Sequence, residues 1–292
     1  MRLLIAGANG QLGREISRLT SHHTLLAADS SRMDITDADA VKRAVLAFRP
    51  DAVINAAAYR FVDRAESEPG AAFSVNRDGA ANLAGACHAA GIPLIHLSTD
   101  CVFDGSKQSA YSTYDATGPL GVYGASKLAG EQAVRSLCER HLILRTSWVF
   151  SPHGSNFVKK ILELSCTQEE LRVVNDQRGC PTCAGELASG ILHALESGVE
   201  AWGTYHFCQP SPTTWHAFAG AIVAEAGRQD WPLRSVRILQ VSARELGLPA
   251  KRPANSVLDC TDFETTFCYT IPAWSASLDT VIRDLRGASR VI

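Results

Sequence analysis

The chain opens on a short apolar run, Leu3-Leu4-Ile5-Ala6, that breaks into Gly7-Ala8-Asn9-Gly10-Gln11-Leu12-Gly13 and resumes as a periodic apolar stretch through Ile16 and Leu19. No other segment restricts the fold so narrowly. Glycine lets a backbone turn sharply and lie against a pyrophosphate, which then sits at the positive N-terminus of the following helix. The G-x-x-G-x-x-G spacing at a first strand-to-helix junction therefore predicts a dinucleotide site, with Gly7, Gly10 and Gly13 as its turn.

Strand-like and helix-like runs then alternate. A second strand, Thr24 to Ala28, ends at Asp29, 16 positions after Gly13, where a carboxylate can bind an adenosine ribose and so favour NAD. Ser30, Ser31 and Arg32 follow at once and suit the extra phosphate of NADP, so both cofactors stay open. Asp34-Ile35-Thr36-Asp37 leads into a helix capped by Thr36 or Asp37. Ala52 to Asn55 forms a third strand, ending in the small residues Ala56, Ala57 and Ala58. A long helix from about Ala71 to Ala90 and a fourth strand, Leu94 to Ser98, follow, then a fifth from Leu142 to Ser147. This alternation predicts an α/β, Rossmann-like, doubly wound parallel sheet.

Tyr123-Gly124-Ala125-Ser126-Lys127 opens an apolar-periodic helix, which places Tyr123 and Lys127 one turn apart on one face. A phenol beside an ammonium suits proton transfer, since the cation is expected to lower the tyrosine pKa from about 10 toward neutrality. Thr99, at the open end of the fourth strand, can bind a substrate carbonyl that Tyr123 also touches. Thr99, Tyr123 and Lys127 are thus the candidate catalytic set.

Composition narrows the partner. With 46% hydrophobic and 20% charged residues and a formal net charge of -2, the chain offers no basic field for nucleic acid and no polybasic membrane anchor. A small-molecule substrate is expected. Met1 to Ala6 runs straight into Gly7 without the apolar core of a signal peptide, and no run reaches about 18 apolar residues, so a cytoplasmic protein is expected. Nine cysteines, several inside predicted elements as with Cys87, Cys138 and Cys208, read as reduced thiols. Cys180-Pro181-Thr182-Cys183 has C-x-x-C spacing but no second ligand pair nearby.

The chain resembles the extended short-chain dehydrogenase/reductase family, and within it the dTDP-4-dehydrorhamnose reductase branch, over nearly its whole length. The glycine loop and the Tyr-x-x-x-Lys helix with its Leu128 to Glu131 continuation carry the likeness. So do Asn55 to Tyr59, Val62 to Glu66, Ser98 to Asp100, Arg145 to Trp148, Asn156-Phe157-Val158, Asp176 to Thr182, Thr214-Trp215 and Arg252-Pro253-Ala254-Asn255-Ser256. The resemblance implies NADPH- or NADH-dependent reduction of the C4 ketone of dTDP-4-dehydro-L-rhamnose to dTDP-L-rhamnose. It assigns Thr99, Tyr123 and Lys127 to catalysis, with Lys127 and Tyr123 also meeting the cofactor. Gly10, Gln11, Leu12, Asp29, Asp34, Ile35, Ala56, Ala57 and Ala58 would line the cofactor, and Thr99, Asp100, Trp148 and Asn156 the sugar. Asn156 also reads as the cap of a helix from Phe157 to Leu164. Arg252 suits a diphosphate, with a surface salt bridge as its alternative.

Residues 1–150 are expected to form the dinucleotide-binding domain and 151–292 mainly a smaller substrate domain, with the helix near Glu186 to Leu195 and the strand Tyr205 to Cys208 rejoining the main sheet. Further strands are expected at Leu171 to Val174 and Val236 to Val241, and helices at Trp215 to Ala226 and Ser275 to Leu285. Three departures from the family pattern stand out: Cys101 where tyrosine is usual, Arg60-Phe61 for a small pair, and Cys208 to Pro212 for a glycine-rich segment. Asp100-Cys101 lacks the Asp-Glu pair of the 4,6-dehydratases, which favours plain carbonyl reduction. Some relatives bind magnesium through glutamates at a dimer interface. Here only Glu15 is in register, so no metal is expected, and a homodimer is left open. Two other readings are a 4-keto reductase of opposite facial choice and a non-catalytic NADP-binding regulatory subunit.

Overall fold

The computed structural model describes residues 1–234 and 237–289. In chain order the first half runs β1 (Arg2–Ala6), α1 (Gln11–Leu19), β2 (Thr24–Ala28), α2 (Ala38–Phe48), β3 (Ala52–Asn55), α3 (Val62–Ala65), α4 (Pro69–Phe73), α5 (Gly79–Ala90), β4 (Leu94–Thr99), α6 (Val122–Leu137) and β5 (His141–Thr146). These strands and a late one, β10 (Gly203–His206), form one parallel six-stranded sheet in the order β10-β5-β4-β3-β1-β2. Strands buried on both faces read as unbroken apolar runs, and Leu3, Leu4 and Ile5 are all fully buried. Leu3 and Ile5 pack toward α1 and α8 (Ala184–Glu196), whereas Leu4 faces α2, α5 and α6.

Asp37, not Thr36, caps α2, accepting from the backbone N–H groups of Asp39 and Ala40. The single helix expected from Ala71 to Ala90 is interrupted: Ser74–Asp78 winds as a π-helical turn between α4 and α5. That turn displaces the Asn76 carbonyl toward α6. A Cβ on Gly130 would lie 2.1 Å from it, so the glycine is what admits the bulge.

The remaining elements are β6 (Val149–Phe150), α7 (Phe157–Thr167), β7 (Glu170–Val174), β8 (Arg178–Gly179), β9 (Thr182–Cys183), β11 (Thr213–Thr214), α9 (Trp215–Arg228), β12 (Arg237–Val241), α10 (Ala243–Leu246), α11 (Thr261–Phe267) and α12 (Trp274–Ser289). Most of them build a second lobe, whereas α11 packs Phe263 and Phe267 into the core of the main sheet. β12 runs parallel to β7, and α7, α9 and α12 close over them around Phe218, Ile222 and Ile282. Val236, expected to open β12, lies outside the described residues. The strand at Tyr205 begins two residues early and ends at His206. Asn156 caps α7, accepting from the Lys159 N–H at 3.1 Å.

All nine cysteines are free thiols. Cys180 and Cys183 belong to separate apolar clusters, so the C-x-x-C spacing makes no shared centre. Among the described residues, no helix is long and apolar enough to cross a membrane.

Candidate active site

Every candidate catalytic group lies toward the carboxyl edge of the sheet, on which the connections leaving the neighbouring strands β1 and β3 also part to opposite sides. Gly7 leaves β1 with φ +80, and a Cβ there would lie 2.6 Å from the Ala57 nitrogen. Gly13 presses equally hard on the loop, where a Cβ would come within 2.5 Å of the Gly7 carbonyl. Glycine at these two positions therefore sets the close approach of the loop, α1 and the exit of β3. No side chain caps α1 at Gly10, so its first N–H groups stay available for an anion, and a dinucleotide fits here.

The other expected cofactor residues are placed as follows. Gln11 opens α1, but its side-chain oxygen accepts from Ser151 and Asn156, joining the glycine loop to the second lobe. Leu12 and Ile35 are buried, Ile35 against Gly79. Asp34 is exposed and bonded to Thr36. Ala56 and Ala57 form the wall facing Gly7, and Ala58 follows them in the chain. The Asp29 carboxylate takes hydrogen bonds from Ser31, Arg32 and Asn9, which hold it below the usual carboxylate range.

Two glycine contacts and two polar ties fix the helix that carries Tyr123 and Lys127. A Cβ on Gly124 would lie 2.2 Å from the Cys101 carbonyl, so α6 rests directly on the turn after β4. Gly130 admits Asn76 as described above. Glu66 accepts the Val122 N–H at 2.8 Å, placing a carboxylate at the positive end of α6. Buried Asn76 bonds both the N–H and the carbonyl of Tyr59 and donates to Ser126 at 2.9 Å, and Ser126 donates to the Tyr123 carbonyl. Asn76, Ser126 and Glu66 carry no catalytic signature in the sequence; only the break in the α4–α5 helix would have marked the first.

Thr99, at the end of β4, stands beside Tyr123 on α6, and Lys127 lies one turn further along that helix. The Thr99 oxygen accepts from the Cys101 N–H at 3.2 Å and donates to Asp100 at 3.0 Å. It lies beside the Tyr123 phenol and favours its ionisation. Lys127 is buried and donates to the Leu97 carbonyl of β4. Burial pushes its pKa down to about 8, while Glu131 one turn away pulls it up.

The tyrosine departs from expectation. Burial pushes the phenol upward, with smaller pushes from Cys101 and Asp100, and only Thr99 opposes them; Lys127 does not lower it. The physical reason is placement, since the ammonium points to the β4 backbone. A phenol that keeps its proton at neutral pH is a donor rather than a base, which is the role a reductase needs. Asp100 is also pushed up, by burial, against bonds from Ser256, Thr99 and Cys101. The Cys101 thiol is raised by burial and by Asp100, so it cannot replace a dehydratase carboxylate base.

Behind the site lies an ion network that the sequence gives no reason to assemble. Glu131 is wholly buried and accepts from Ser98 at 2.5 Å, Arg145 at 2.8 and 2.9 Å and Arg135 at 2.7 Å. Burial opposes its charge, and Arg145, Ser98 and Arg135 overcome that to hold it below the usual range. The network ties β4, α6 and β5 together under Thr99 and Lys127.

On the substrate side a narrow cleft against Tyr123 is lined by Cys101, Glu66, Lys251 and Pro253. A separate groove of about 390 Å³ lies in the second lobe, past Trp215, Gln177, Arg172 and Arg252. Trp148, with φ 47, stacks on Trp215 at 3.5 Å between ring centres and lies over Gly179, where a Cβ would meet its ring at 2.7 Å. Asn156 donates to Gln11 and to the Ser151 carbonyl, both at 2.8 Å. Arg252 is paired with Asp63 at 2.8 Å at the groove wall. Phe61 is exposed, with Arg60 and Arg64 over its ring, at the rim.

The comparisons agree with this geometry. A family model described as RmlD substrate binding domain matches residues 1–286. A dTDP-4-dehydrorhamnose reductase of Sinorhizobium fredii is 41% identical over 287 residues, covering 95% of each chain. Among solved structures, a dTDP-4-dehydrorhamnose reductase from Clostridium acetobutylicum superimposes with a TM-score of 0.92 at 35% identity, covering 98% of this chain and 100% of that one. One from Bacillus anthracis, solved in complex with NADP, also gives a TM-score of 0.92, at 34% identity, covering 97% and 99%. With a match from the first residue to near the last and identities of this size, the chain belongs to the dTDP-4-dehydrorhamnose reductase family.

Proposed function

We propose that this protein reduces the C4 ketone of dTDP-4-dehydro-L-rhamnose to dTDP-L-rhamnose with NADPH or NADH. The observation that carries the reading is Thr99 beside a buried Tyr123 phenol that keeps its proton, at the sheet edge that also holds the uncapped N-terminus of α1. A reduced nicotinamide supplies the hydride when bound. The backbone at Gly7, Gly10, Gln11, Leu12 and Gly13 would cradle the pyrophosphate, while Asp29, Asp34, Ile35 and Ala56 to Ala58 bound the adenosine half. As negative charge grows on the ketone oxygen, Tyr123 donates its proton there and Thr99 orients the carbonyl. Lys127 supplies a buried positive charge one turn behind the phenol and would hydrogen-bond the nicotinamide ribose. Asp100 and Trp148 bound the sugar, and the groove past Trp215 and Arg252 suits the nucleotide diphosphate.

Oxidation of NADPH or NADH on addition of dTDP-4-dehydro-L-rhamnose, followed by NMR of the product, tests the reading. A rhamnose-configured product supports it. A talose-configured product would give the opposite facial choice, and cofactor binding without oxidation would indicate a regulatory subunit.

A further inference from the structure

We propose that His22, His23 and Glu196 form a binding site for a divalent transition-metal ion of the zinc class. They stand at the amino-terminal edge of the sheet, opposite the catalytic edge. The two histidines immediately precede β2, and Glu196 is the last residue of α8. The Nε2 atoms of His22 and His23 lie 3.2 and 2.9 Å from one oxygen of Glu196, and all three ligating atoms fall within 4.8 Å of one another. Ligands about 2.0–2.1 Å from a tetrahedral zinc are separated by about 3.3–3.4 Å, so the three atoms need only small shifts to share an ion.

Two features make the arrangement more than a chance meeting of surface side chains. The His23 side chain is only 5% exposed, so packing confines its ring. The two imidazole rings are packed 4.1 Å apart and aim at one oxygen. Without a metal, each Nε2 must carry a proton to bond that oxygen; an ion replaces both protons and keeps the convergence. Two imidazoles and one carboxylate select zinc, cobalt or nickel over magnesium or calcium, and a fourth position stays open to water. This departs from the sequence expectation of no metal. Binding would staple the loop before β2 to a helix 173 positions away, so it should stabilise the fold without altering catalysis.

The test is Co²⁺ titration of the full chain by absorption, with Zn²⁺ calorimetry and thermal melting beside it. The proposal expects one equivalent bound with micromolar affinity, no thiolate-to-cobalt band, a melting temperature raised by a few degrees with Zn²⁺, and unchanged turnover. His22→Ala, on an exposed ring, and Glu196→Gln, which keeps the side-chain shape, should each weaken affinity at least tenfold. No saturable binding, a thiolate band showing capture by cysteines, or affinity unmoved by both variants would overturn it.

Discussion

Glu131 stands one helical turn beyond Lys127 on α6, with both side chains shut from solvent, and its carboxylate raises the proton affinity of an ammonium that burial alone would weaken. With Lys127 at about 8, the cation behind the phenol is fully charged below that pH and is lost above it. Turnover should therefore fall as pH rises through about 8. In Glu131→Gln that falling limb should move to lower pH, by roughly 0.5–1 unit. The same variant strands buried Arg145, which should cost about 3–5 kcal/mol of stability. The pH dependence of kcat reports the first effect and denaturant unfolding the second.

Two helical glycines should respond to alanine with opposite signs. Gly130→Ala would drive a methyl into the Asn76 carbonyl, 2.1 Å away, and should destabilise by about 1–3 kcal/mol while lowering turnover, because the π turn also positions Ser126 and Tyr123. Gly85→Ala on α5 meets nothing within 4 Å and should stabilise by about 0.5–1 kcal/mol. Urea unfolding of the pair checks both signs.

Acid should weaken the fold through buried histidine. Burial, then Arg145, push His206 from its ordinary 6.5 down to about 4. Above pH 6.5 the ring is neutral folded or unfolded. Below it the unfolded chain takes up a proton that the folded chain refuses, so stability falls as pH drops from about 6.5 to about 4. At 1.36 kcal/mol per unit the loss is on the order of 3 kcal/mol. His96, also depressed by burial, adds to it. Melting temperatures across this range should fall less steeply in His206→Gln.

The sheet and the catalytic trio were legible because they rest on local rules. β1, β2 and β3 appear as apolar runs closed by glycine or small residues, and Tyr123 and Lys127 share a face by helical periodicity alone. What escaped depends on distant partners. The π turn at Ser74–Asp78 fits because Gly130, more than 50 residues away, leaves room for it, and no helix-propensity argument reaches that far. The partners that Asn156 and Arg252 take in the folded chain, Gln11, Ser151 and Asp63, are likewise distant in sequence or not implied by it. The direction of the Tyr123 shift was misjudged for the same reason: spacing puts an ammonium nearby in sequence, while burial, Cys101 and Asp100 decide the phenol's proton.

The central claim is that Tyr123 delivers a proton to the ketone oxygen, and the most direct test is turnover of Tyr123→Phe with dTDP-4-dehydro-L-rhamnose beside its affinity for NADPH. Loss of the one hydroxyl should lower kcat by about 100-fold or more while the NADPH dissociation constant stays near wild type. Turnover within a few fold of wild type, with the cofactor bound equally well, would contradict the account.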